Sequence, residues 1–142
     1  MDLRPLDETT AAAPMIEPED MAALAEGGVT TVICNRPDTE VPPTHQAAAM
    51  QAAAEAAGLT YVYNPVAGMA LTLDAIEEQA DAIDGAEGRV VAYCASGTRS
   101  AILWALAQAG RQSADDILAA TAAAGYPLDA LRPQIAQLED RR

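Results

Sequence analysis

The chain has 142 residues, 51% of them hydrophobic, which is enough for one domain with a buried core. Its 21 acidic residues outnumber eight basic ones, all of them arginine, and the formal net charge is −13. This balance argues against nucleic acid and anionic membrane surfaces as partners, because both are bound through basic patches.

No apolar run approaches the roughly 20 residues that a membrane-spanning helix needs. The first residues do not follow the basic-then-apolar order of a secretory signal, so a cytoplasmic location is expected. Two cysteines and one histidine do not have the spacing of metal ligands, and we expect neither a metal nor a cofactor.

Strand-like and helix-like segments alternate along the chain. A weak strand pattern near 10–14 is followed by three short runs rich in β-branched and aromatic residues, at 30–34, 60–64 and 89–93. Helical patterns cover 18–26, 44–57, 72–83, 100–109, 113–124 and 128–138, with Thr72 and Ser113 as predicted caps.

This alternation predicts a single α/β domain over residues 1–142, with its core at about 10–124 and a helical tail at about 125–142. The expected architecture is a central, mainly parallel sheet of four to five strands flanked by helices. The loops at 35–38, at 65–69 and after Tyr93 would then meet at the carboxyl edge of the sheet, where ligands bind in such folds.

The loop after Tyr93 carries the clearest chemical signal, in the stretch AYCASGTRSA. Cys94 ends a strand, and a short loop with Gly97 leads into a helix. Backbone N–H groups of such a loop and the positive end of the helix favour a thiolate over a thiol. Arg99 can bind an anion with two parallel hydrogen bonds. We therefore expect a nucleophilic thiolate beside an anion cradle.

The predicted cradle comprises Ala95, Ser96, Gly97, Thr98 and Ser100. Ser100 is expected to cap the helix or to donate to the thiolate.

This loop, together with VICNRPD at 32–38 and NPV at 64–66, resembles a bacterial family catalogued as a domain of unknown function (DUF442), also called beta-lactamase-hydrolase-like. The resemblance covers about residues 10–110. It implies a tyrosine-phosphatase-like fold and an activity often described as sulfur transfer. Members also occur fused to metallo-β-lactamase-like hydrolases that handle persulfides, so such a hydrolase is a candidate partner.

The spacing of the loop bears on the reaction. Four residues separate Cys94 from Arg99, whereas tyrosine phosphatases have five and rhodaneses have the tighter loop. The shorter loop favours a rhodanese-like sulfurtransferase, in which Cys94 takes sulfane sulfur from a small anionic donor, thiosulfate or a persulfide, and passes it to a thiol acceptor.

Two alternatives remain open. The first is a cysteine-dependent phosphatase with a cysteinyl-phosphate intermediate, in which Asp38 is the catalytic acid. The second is a non-catalytic module that binds an anion or a partner.

Arg36 would draw in an anion or pair with Asp38. For both residues, a role in forming the turn is as good an interpretation as a functional role. Cys34 is expected to be buried and inert rather than a second reactive thiol. The oligomeric state is left open, a homo-oligomer included.

Overall fold

The computed structural model describes residues 1–141, which form one α/β domain around a five-stranded sheet. The strands are β1 (Arg4–Pro5), β2 (Thr10–Ala13), β3 (Val29–Cys34), β4 (Thr60–Tyr63) and β5 (Arg89–Tyr93). Their order is β1-β2-β5-β3-β4, and all neighbours are parallel except β1 and β2. The predicted, mainly parallel sheet flanked by helices is confirmed.

Helices connect the parallel strands and follow the last one. They are α1 (Met21–Glu26), α2 (Ala47–Ala56), α3 (Leu73–Asp84), α4 (Thr98–Ala107), α5 (Ala114–Ala123) and α6 (Arg132–Asp140). The predicted caps of α3 and α5 are confirmed: Thr72 accepts the Ala75 N–H and Ser113 accepts the Asp116 N–H, each at 3.1 Å. Strand β1 was not predicted, because two residues carry no periodic pattern.

Both faces of the sheet are covered by buried side chains. Alternate side chains of β3 and β5, including Val32, Cys34, Val91 and Tyr93, pack with α1 and α2. Helix α4 lies on the opposite face and contacts β2, β5, α3, α5 and α6. Every residue of α4 from Ser100 to Ala107 is buried, including Trp104.

The C-terminal segment also contributes buried side chains. Tyr126 and Ile135 belong to the cluster built around α4, where they are 5% and 0% exposed. The segment after α5 therefore packs on the same helix that follows the Cys94 loop. Within residues 1–141, no helix is long and apolar enough to cross a membrane.

Candidate active site at the Cys94 loop

Cys94 lies at the carboxyl edge of the sheet, immediately after β5. Its backbone N–H donates to the Ala13 carbonyl at 3.3 Å, and the neighbouring Ala95 carbonyl accepts the Met15 N–H at 3.2 Å. These bonds fix the start of the loop against the end of β2. The Cys94 side chain is fully buried, whereas Ala95 and Ser96 are exposed, so the loop forms the rim above the sulfur.

Gly97 delivers the loop's hydrogen bond to the sulfur. Its backbone N–H donates to Cys94 Sγ at 3.1 Å, and its φ of +92° turns the chain into α4. Non-glycine residues rarely adopt this left-handed conformation. The structure thus places an N–H donor and the first turn of a ten-residue helix beside Cys94, an arrangement that stabilises negative charge on sulfur.

The other predicted cradle residues have more local roles. Ser96 Oγ accepts the Thr98 N–H at 3.3 Å and donates to Thr98 Oγ1 at 2.9 Å. The prediction that Ser100 caps the helix or donates to the thiolate is wrong. The left-handed Gly97 starts α4 two residues earlier than predicted, and this puts Ser100 inside the helix. Its buried hydroxyl donates to Asn35 Oδ1 at 2.8 Å.

Arg99 is held at the rim by Glu40, a residue that the sequence analysis missed. Arg99 Nη1 donates to Glu40 Oε2 at 2.9 Å and to the Val66 carbonyl at 2.8 Å, and Nη2 donates to Glu40 Oε1 at 2.8 Å. Glu40, and after it the nearby Cys94 sulfur, raises the pKa of the Arg99 guanidinium. The Glu40 carboxyl pKa is lowered, chiefly by Arg99 and then by Arg36.

Arg36 and Asp38 lie in the loop after β3 but do not pair as considered above. Arg36 Nε donates to Glu40 Oε1 at 3.2 Å, so its acidic partner is Glu40. Asp38 Oδ1 accepts the Ala47 N–H at 2.7 Å, in the first turn of α2. The Asp38 backbone N–H donates to the Tyr63 hydroxyl at 2.9 Å. Arg36 and Glu40 lie four residues apart in the segment between β3 and α2, where the helical i,i+4 rule does not apply, so their spacing was no signal of a pair.

A buried polar network lies beneath the loop. Gln79 Oε1 accepts from the side-chain amides of Asn35 and Asn64, both at 2.9 Å, and Gln79 Nε2 donates to Asn35 Oδ1 at 3.1 Å. Ser100 joins the network through the same Asn35 oxygen. The network links the ends of β3 and β4 to α3 and to α4, the helix that follows the Cys94 loop.

Cys34 lies on the other face of the sheet from the Cys94 loop. It is in register with Tyr93, shares that residue's buried cluster and donates to the Arg36 carbonyl at 3.3 Å. Cys94 follows Tyr93 directly, so the two thiols point to opposite faces. Within residues 1–141, no group of three or more His, Cys, Asp or Glu side chains is arranged to hold a metal ion.

Comparison with known proteins gives the family. Residues 2–111 match the family model described as "Beta-lactamase hydrolase-like protein, phosphatase-like domain". The chain belongs to this family. A Beta-lactamase hydrolase-like protein of Xylella fastidiosa is 35% identical over 130 residues, which cover 90% of this chain and 30% of that protein. The present chain therefore spans about a third of the length of that relative.

Solved structures of phosphatases share the fold of this family member. A candidate phosphatase from Neisseria meningitidis is 31% identical, with a TM-score of 0.81 over 97% of this chain and 99% of its own. PTPMT1, solved in complex with PI(5)P, has a TM-score of 0.76 at 16% identity, with 99% of each chain covered. The second likeness concerns the fold alone.

These findings overturn the prediction of a sulfurtransferase. The matching family model is a phosphatase-like domain, and the 31% identical structure is a candidate phosphatase. The error came from counting residues between Cys94 and Arg99 as a measure of the width of the anion site. What the loop offers an anion depends on where its N–H groups and the guanidinium point. Gly97 directs its own N–H at the sulfur, and Glu40 and the Val66 carbonyl orient the guanidinium.

Proposed function

We propose that this chain is a cysteine-dependent phosphatase that hydrolyses phosphate monoesters. The observation that carries the proposal is the Gly97 N–H directed at Cys94 Sγ where α4 begins, with Arg99 in the first turn of that helix. A helix N-terminus and a guanidinium next to a nucleophilic sulfur suit a dianionic phosphoryl group. Membership of a phosphatase-like family supports the same reaction.

In the proposed reaction the Cys94 thiolate attacks phosphorus and displaces the alcohol or phenol oxygen. An S–P bond forms, the P–O bond to the leaving group breaks, and an acid protonates the departing oxygen. Water then attacks the cysteinyl-phosphate and gives a proton to the now deprotonated acid, the S–P bond breaks with its electrons returning to sulfur, and inorganic phosphate leaves. Arg99 binds the non-bridging oxygens, while Glu40 and the Val66 carbonyl hold its guanidinium plane in place.

We assign the acid role to Asp38 rather than to Glu40. Glu40 has a lowered pKa and two hydrogen bonds from Arg99, so it stays ionised and is a poor proton donor. Asp38 lies on the same loop, and only its Oδ1 atom is needed for the bond from Ala47. A carboxyl anchored through one oxygen can still present the other to a leaving group.

The first experiment measures hydrolysis of p-nitrophenyl phosphate by the wild-type chain and by Cys94→Ser. We expect turnover by the wild type and a loss of about a thousandfold or more in the variant, because the nucleophile is removed. Acid quenching during turnover should trap one phosphoryl group on the Cys94 peptide. Equal activity in the variant, or no hydrolysis across a panel of aryl, alkyl and sugar phosphates, would refute the proposal.

The second experiment tests the acid with Asp38→Asn, since the asparagine oxygen can still accept the Ala47 N–H. Loss of a proton donor should reduce kcat about a hundredfold for phenyl phosphate and much less for p-nitrophenyl phosphate, whose leaving group needs less protonation. Asp129→Asn, an exposed change far along the chain, is the matched control. Equal losses with both esters would show that Asp38 acts only on structure.

A further inference from the structure

The peptide group between Ser96 and Gly97 is hydrogen-bonded at both ends. Its N–H, which belongs to Gly97, donates to Cys94 Sγ at 3.1 Å. Its carbonyl, which belongs to Ser96, accepts the hydroxyl of Tyr126 at 3.1 Å. The N–H and C=O of a planar trans peptide point in opposite directions, so a partner that holds the carbonyl also sets the direction of the N–H.

Tyr126 is itself firmly placed. It is 5% exposed, and its backbone N–H donates to the Thr121 carbonyl at 2.8 Å, at the end of α5. The Arg4 guanidinium lies over its ring, 5.3 Å from the centroid. Burial raises the pKa of the Tyr126 phenol, so the hydroxyl remains a proton donor across the neutral range.

Gly97 and the Tyr126 hydroxyl fit each other closely. A Cβ atom on residue 97 would lie 2.0 Å from Tyr126 Oη and 2.9 Å from Cζ, far inside any contact distance. The phenol thus occupies the space that a side chain at position 97 would fill. The match with the family model ends at residue 111, so Tyr126 reaches the loop from outside the matched region.

We propose that Tyr126 is a positioning residue for the nucleophile: its hydroxyl holds the Ser96–Gly97 peptide so that the Gly97 N–H faces Cys94 Sγ. Donation to the carbonyl also polarises the peptide and strengthens the bond from its N–H to the sulfur. The catalytic consequence rests on the proposed phosphatase function. The reactivity of Cys94 toward an alkylating agent does not, and it tests the role of Tyr126 separately.

The experiment compares wild type with Tyr126→Phe, which keeps the ring and removes the hydroxyl. The rate of Cys94 alkylation by iodoacetamide is followed by mass spectrometry of its peptide between pH 4 and 9. We expect the midpoint of the pH profile to rise by about half a pH unit, with alkylation below the midpoint about threefold slower. For hydrolysis of an aryl phosphate, kcat should fall more than KM changes.

The matched control is Tyr61→Phe, which removes another inward hydroxyl, bonded to the Tyr93 hydroxyl on the other face of the sheet. Its alkylation profile should equal that of the wild type. A Tyr126→Phe profile that superimposes on the wild type in a folded protein would overturn the proposal, and so would an equal shift in Tyr61→Phe. If no phosphate ester is hydrolysed, the proposed function fails while the alkylation profiles still decide the role of Tyr126.

A second measurement needs no variant, and it decides the matter if Tyr126→Phe does not fold. In wild-type protein labelled with ¹⁵N-glycine, the Gly97 amide resonance should move with pH at the alkylation midpoint, and the ring resonance of Tyr126 should move with it. A pH-dependent shift of the Gly97 resonance without a shift of the Tyr126 ring resonance would overturn the proposed role of Tyr126.

Discussion

Glu40 shows how one carboxylate can orient Arg99, the residue that we propose to bind the phosphoryl group. It accepts two hydrogen bonds from Arg99 and one from Arg36 Nε, so two positive side chains converge on it. The sequence shows that Arg36 and Glu40 lie four residues apart, but it gives no sign that Glu40 also binds Arg99, which lies 59 residues further along the chain. Contacts of this kind depend on the register of the strands and were beyond sequence reasoning.

The Glu40 contacts predict a pH-dependent contribution to stability. Folding lowers the pKa of the Glu40 carboxyl from its usual 4.5. Such a group stabilises the folded protein at pH values above its unfolded pKa, and this stabilisation is lost as the pH falls through its folded pKa. Glu40→Gln should therefore lower the free energy of unfolding by about 1 kcal/mol at pH 7 and by less at pH 3. Urea denaturation at the two pH values measures the difference. An equal cost at both would contradict the ionic origin.

At the scale of the secondary-structure elements, helix ends were predictable where a side chain caps the helix. Thr72 and Ser113 are short hydroxyl residues placed before apolar patterns, and the structure confirms both as caps. The start of α4 was misplaced by two residues, because its N-cap is Gly97 in a left-handed conformation rather than a hydroxyl residue. A glycine in a loop signals freedom of the backbone but not which conformation it takes.

The polar network around Gln79 links β3 and β4 to α3 and α4, and it predicts the effect of a substitution in α3. Gln79→Leu has nearly the same volume but leaves the buried amides of Asn35 and Asn64 without their shared acceptor. The free energy of unfolding should fall by about 2–4 kcal/mol. Gln134→Leu, an exposed change on α6, is the control and should have little effect. A loss below 1 kcal/mol in Gln79→Leu would mean that the amides find other partners.

At the scale of the whole molecule, the alternation of strands and helices was enough to predict the class of fold. Short β-branched runs marked three of the parallel strands, and the Ala-rich β2 was recognised only weakly, since alanine favours helices. Cys94 and Arg99 were singled out as candidate site residues because strand, glycine and helix signals coincide within ten residues. Glu40 and Tyr126 were missed because they come from distant segments, and the reaction was wrongly chosen on loop length.

The net charge of −13 leads to a prediction for the molecule as a whole. Acidic side chains repel one another at low ionic strength, and salt screens this repulsion as the Debye length falls from about 20 to about 4 Å between 0.02 and 0.5 M. We expect the melting temperature to rise by a few degrees over this range. Sodium chloride and choline chloride should act alike. A fall in melting temperature would instead mean that local pairs such as Arg111 with Asp84 outweigh the general repulsion.

The placement of Cys34 and Cys94 on opposite faces of the sheet has a consequence for oxidation. A peroxide that reaches Cys94 would convert the proposed nucleophile to a sulfenic acid, which a neighbouring thiol can trap as a reversible disulfide. Cys34 packs in the buried cluster of Tyr93 and its S–H donates to the Arg36 carbonyl, so it is not placed to trap an oxidised Cys94. Recovery of oxidised Cys94 would therefore depend on an external thiol such as glutathione, and over-oxidation would compete with it.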